Sequence, residues 1–161
     1  MATWKKFQTL LFVDITKITG TGSTPDWARI GKSTIFDLTM NPQMDDFDFI
    51  EDENPTSLLR NYQPSMSQEL WTLEGDKAFD AMYEYMYDQP TGDDAILPVL
   101  IVFPKSRTTE NTFDAWQLTA TVTTTNFNTV DEKILFDMNF NGTITKGTAT
   151  VTGGVPSFTA A

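Results

Sequence analysis

The sequence predicts a mainly β, α+β domain: an antiparallel β-sandwich or half-barrel with one flanking α-helix, a long inter-strand loop, and N- and C-terminal arms. Three observations lead there. Several short segments alternate apolar and polar residues, turn residues separate them at short spacing, and one segment carries apolar residues at helical spacing. At 161 residues the chain has room for one ordinary core, so a single domain over 1–161 is expected.

In chain order, Trp4 to Ile18 holds Phe7, Leu10, Leu11, Phe12, Val13, Ile15 and Ile18, a nearly continuous apolar run that suits a strand buried on both faces. The connector Thr19-Gly-Thr-Gly-Ser-Thr-Pro25 breaks regular structure and completes an N-terminal arm over 1–24. Trp27 to Leu38 reads as a second strand with a bend at Gly31. Residues 40–63 form the long acidic loop, holding Asn41-Pro42, Asp45-Asp-Phe-Asp-Phe-Ile-Glu-Asp-Glu53 and Asn54-Pro55. A loop of that length within a compact domain is usually functional or disordered, and Phe47, Phe49 and Ile50 favour a surface on which it docks.

Ser65 to Leu73 is a third strand. Residues 74–88 are the helix: Phe79, Met82, Tyr83 and Met86 recur on one side and Asp76, Lys77, Asp80 and Glu84 on the other, with Tyr85 and Tyr87 interrupting the polar face. Ile96 to Phe103 is apolar throughout, as a doubly buried strand requires. In Phe113 to Thr123, Trp116, Leu118, Ala120 and Val122 alternate with Gln117, Thr119, Thr121 and Thr123, giving one core face and one threonine face. Lys133 to Phe140 repeats the pattern with Ile134, Phe136, Met138 and Phe140 inward. Asn141-Gly142 signals a type I′ hairpin turn, Thr143 to Thr152 the return strand, and 153–161 a flexible tail.

With no His and no Cys, imidazole acid/base catalysis, Ser-His-Asp and Cys-His nucleophiles, thiolate or imidazole metal sites and disulfides are excluded. A net charge of −11 opposes any surface that grips nucleic acid phosphates. Asp45, Asp46, Glu51 and Asp52 are the nearest approach to a glycosidase pair, but a charged loop in water keeps carboxylates ionised instead of parting their pKa values. Asp46, Asp48 and Glu51 lack the spacing and turning glycine of a calcium loop. Nucleotide-binding glycine motifs are missing. The chain is therefore expected to be no enzyme and to carry no catalytic residue, cofactor or metal. A threonine-covered sheet face and long appendages suit a subunit that joins sheet edges with copies of itself.

Four stretches carry a family resemblance: Trp27-Ala-Arg-Ile-Gly-Lys32; the long loop before Tyr62-Gln-Pro-Ser65; Gly75-Asp-Lys-Ala-Phe79-Asp-Ala-Met-Tyr-Glu84; and Phe136-Asp-Met-Asn-Phe-Asn-Gly-Thr-Ile-Thr-Lys-Gly-Thr-Ala-Thr-Val151. Over residues 27–152 the chain resembles the major tail protein, or tail tube protein, of long flexible-tailed bacteriophages. That resemblance implies hexameric rings stacked into an acidic conduit for genome ejection. It also implies partners such as the tape measure, terminator and distal tail proteins, passage of DNA without specific binding, and a place in the virion after assembly in the host cytoplasm. On this reading Asp45, Asp46, Phe47, Asp48, Phe49, Ile50, Glu51 and Phe158 contact neighbouring subunits or rings. One alternative is a tail terminator or head-tail joining protein that stops at a single ring. Another is a carbohydrate-binding sandwich using Trp27, Trp71 or Trp116 for stacking.

Overall fold

A computed structural model describes residues 1–20, 22, 24–106 and 111–161. Thr21 and Ser23 of the expected connector lie outside the described residues. The elements are β1 (Leu10–Asp14), α1 (Thr16–Thr19), β2 (Trp27–Arg29), β3 (Leu38–Thr39), β4 (Pro42–Phe47), β5 (Thr56–Tyr62), β6 (Ser65–Trp71), α2 (Lys77–Asp88), β7 (Ile96–Val102), β8 (Phe113–Asn128), β9 (Lys133–Thr152) and β10 (Val155–Ala160). Eight strands make one antiparallel sheet in the order β2-β1-β7-β8-β9-β6-β3, with β10 also on β9. Among the described residues β4 and β5 pair only with each other. This is the mainly β fold with a flanking helix that the sequence predicts.

The central strands show why their apolar runs are continuous. Leu97, Val99 and Ile101 of β7 face the main core with Leu11 and Val13 of β1. The intervening Leu100 and Phe12 face a second cluster with Val102, Ala115 and Ala149 on the other side of the sheet. Both pleated faces are dry there, so both parities must be apolar. Farther out only one face is covered, and β8 and β9 revert to alternation: Leu118, Ala120, Val122, Ile134, Phe136 and Met138 are inward while Thr119 and Asn139 are exposed.

Helix α2 covers the main core. Asp76 caps it by accepting from the Phe79 N–H at 3.3 Å. Its buried residues are Ala78, Ala81, Met82 and Tyr85, with Phe79 and Met86 packed half-buried on the same core; of the expected side only Tyr83 is corrected, and Tyr85 takes the inward place. Tyr83 is exposed and stacks on Tyr87 at 6.3 Å. Small alanines let the helix approach the sheet closely, and the Tyr85 hydroxyl donates to the Val122 carbonyl, so its polar end is satisfied within the core.

Three other expectations are corrected, each by strand pairing. The apolar run Trp4 to Ile18 forms strand only at Leu10–Asp14, where β7 and β2 supply partners. Asn141-Gly142 makes no hairpin turn: β9 runs on through it, and the register with β8 shifts so that Gln117 faces Thr145 while Thr119 faces Asn141. Gly142, at φ +70°, permits that irregularity, and pairing on both sides of it overrides the local turn preference. The tail is a strand, with β10 antiparallel to Gly147–Thr152 after a turn at Gly153-Gly154, both of which have positive φ.

Gly147 is fixed by that docking. A Cβ there would lie 2.2 Å from the Thr159 carbonyl oxygen and 2.8 Å from the Phe158 ring. Gly147→Ala is therefore expected to cost about 1–3 kcal/mol and loosen β10. Urea unfolding measures the loss, and limited proteolysis should cut within 155–160 sooner. Burial raises the Tyr85 pKa above its ordinary value of 10.0, so the native state disfavours the phenolate. The Tyr85 contribution to stability is fully present below pH 10.0 and is lost as the pH rises above it, because the unfolded chain ionises first. Thermal melts across alkaline pH should show this fall, and Tyr85→Phe should flatten it.

Candidate functional site

The segment expected as a loop is a hairpin, a correction with a physical reason. Antiparallel pairing runs from Pro42↔Tyr62 to Phe47↔Thr56, with a shift between Gln43 and Met44. Two cross-strand contacts use acids that sequence reading placed at an interface. Asp45 pairs with Arg60 at 3.5 Å, and Asp46 accepts from the Ser57 hydroxyl. The base is held to the main sheet by Asn41, at φ +45°, whose side-chain amide donates to the Gln63 carbonyl at 3.1 Å and the Ser65 hydroxyl at 2.9 Å. The Gln63 N–H returns a bond to the Asn41 carbonyl at 3.2 Å.

Beyond this clamp the hairpin stands in water. Met44, Phe47, Phe49, Ile50, Leu58, Leu59 and Tyr62 are all exposed, and Ile50 reaches 107%. Phe47 and Phe49 lie on the same side of the chain and stack in parallel at 5.6 Å, 4° apart in plane. Around them Asp48, Glu51, Asp52 and Glu53 make a tip with no basic residue in 48–53. An apolar pair within an acidic rim is what a protein-docking element requires, because burial of the rings supplies affinity and the rim supplies orientation. Isolated two-stranded hairpins are marginal in water, so a covering surface would stabilise this one.

The sequence-predicted residues divide accordingly. Phe47, Asp48, Phe49, Ile50 and Glu51 are together at the tip, with Asp45 and Asp46 in the strand leading to it. Phe158 is elsewhere, packed on its own subunit's second cluster. Sequence reading missed Met44, Leu58, Leu59 and Tyr62, because β5 lacks clean alternation; the Pro-bounded spacing of 42–55 was the available signal. Among the described residues no group of three acids is placed to hold a metal ion. The tryptophans proposed for sugar stacking are engaged: Trp27 packs on the second cluster, Lys133 lies 5.4 Å from the Trp71 ring centre, and Trp116 meets Phe103 edge-on.

No known protein-family model matches the chain, and no curated protein does. Solved structures do match in fold. The sheath/tube terminator of an extracellular contractile injection system, PVC, in its extended state is 7% identical, with 91% of this chain and 97% of that one covered at a TM-score of 0.51. A chain of the anti-feeding prophage baseplate is 9% identical, with coverage of 91% and 96% at 0.46. One from the tube-terminating cap of the anti-feeding prophage is 12% identical, with coverage of 100% and 93% at 0.48. These neighbours are components of assembled phage-tail-like particles. The first exceeds 0.5, and at its low identity it shows a shared fold.

Because the hairpin apex is off the core, Phe47→Ser with Phe49→Ser should leave the isolated subunit's stability within about 0.5 kcal/mol of the parent. Urea unfolding at low protein concentration checks this. A loss of several times that size would mean that the rings support their own subunit.

Proposed function

We propose that this chain is a non-enzymatic structural subunit of a phage-tail-like particle, assembling with copies of itself into a ring that terminates the tail tube. The observation that carries this reading is the hairpin, which holds seven large apolar side chains in water beyond the core. The PVC terminator shares the fold over nearly the whole of both chains, which favours the terminating ring over the tube-forming protein. The charge agrees with a bore that lets DNA pass: six copies at −11 each would carry −66 formal charges, and a wall of that sign repels a polyanion.

The ring would form by heterologous contact, one patch of each copy meeting a different patch of the next, because identical repulsive acidic tips cannot serve as each other's partner. Partners are then neighbouring copies and the tube end, and the site of action is the tail particle. Phe47, Phe49 and Ile50 are the anchors, with Asp48 and Glu51 on the rim.

Negative-stain images of the concentrated protein, alone and with tail tubes, test this. Rings of one layer, free or seated on tube ends, are expected. Tubes of unlimited length would favour the tube-protein reading instead, and a chain that stays solitary even beside tube ends would contradict both.

A further inference from the structure

A second exposed aromatic surface lies on the same chain. A groove of about 950 Å3 is lined by Trp4, Phe103, Lys105, Trp116, Lys146 and Ala161. Phe103 and Trp116 meet edge-on at 5.1 Å and 80°, both half-buried, while Trp4 is 61% exposed. β8 and β9 supply Trp116 and Lys146, and Phe103 follows β7, so the groove is built on the sheet itself. Lys105 and Lys146 are exposed and stand outside the ion pairs found among the described residues. Asp114 on the same wall gives its N–H to the Lys105 carbonyl at 2.9 Å and is the acidic side chain of the lining.

We infer that this groove receives the hairpin tip of a second copy of the chain. Tip and groove complement each other in two independent ways. The tip offers the stacked Phe47 and Phe49 with Ile50, and the groove offers three aromatic side chains and room for more than one ring. The tip carries Asp48, Glu51, Asp52 and Glu53, and the groove carries two lysines in a chain whose acids outnumber its bases two to one. Among the described residues of one copy nothing covers the tip or the open side of the groove. The contact joins two different patches, and a fixed rotation between copies closes such a contact into a ring. This inference rests on the ring reading and names the receptor for its anchor.

Charge exchange between full-length chains tests it. One variant reverses the groove (Lys105→Glu with Lys146→Glu), another reverses the tip (Glu51→Lys with Asp52→Lys), and all four positions are exposed. Each alone should raise the concentration for half-assembly about tenfold or more, and an equimolar mixture should recover it, because every alternating contact then joins opposite charges. Recovery in the mixture also excludes misfolding as the cause of the single losses. A groove-reversed chain that forms rings like the parent, or a mixture no better than its components, overturns the inference and leaves the ring reading standing. A parent that never forms rings overturns both.

Discussion

Two strands cannot bury the side chains they project, because each face of a lone hairpin meets water unless a third element covers it. Among the described residues β4 and β5 pair with each other alone, and the stacked Phe47 and Phe49 lie outside both core clusters. That constraint gives the molecule two parts with different needs: a sheet that buries its own core, and an extension that buries nothing. The functional reading follows from the extension, with the acidic rim around its apolar pair limiting what can cover it.

The sheet matters to function because it fixes where that extension stands. β8 and β9, of 16 and 20 residues, are the longest strands among the described residues. β9 pairs with β6 over its first part and with β10 over its last. The Asn41 clamp ties the hairpin to the start of β6, so the hairpin inherits its position from this spine. At the other part of the same ladder, where Lys146 and Trp116 face each other, the aromatic groove opens. One rigid element thus carries both surfaces, so a contact between copies would hold a defined rotation, as ring closure demands.

Much of this was legible in the sequence. Strand β6, the apolar β7 and the alternation of β8 could be read directly, because burial on two faces or one imposes the pattern of polarity without knowledge of the partner strand. The large apolar side chains of the acidic segment 45–53 also stand out in the sequence, and the structure leaves Phe47, Phe49 and Ile50 exposed. What escaped was set by distant pairing. The pairing of β5 with β4 carries no period-two signature, since neither face of the hairpin is buried in the subunit. Asn141-Gly142 spells a turn locally, yet β8 pairs on both sides of it. Tyr83 fits the apolar stripe of α2 better than Tyr85 does, but the Val122 carbonyl, far along the chain, gives Tyr85 the inward place. The groove unites residues from Trp4 to Ala161, a juxtaposition that no local window contains.

Hydrogen exchange followed by mass spectrometry, on the free subunit and on the assembled particle, measures most directly whether a neighbour covers the hairpin. The account predicts that amides of residues 42–62 exchange quickly in the free chain and gain strong protection on assembly, while β7 amides are protected in both states. Equal exchange of 42–62 in the two states would mean that the hairpin stays in water after assembly, and would contradict the account at its root.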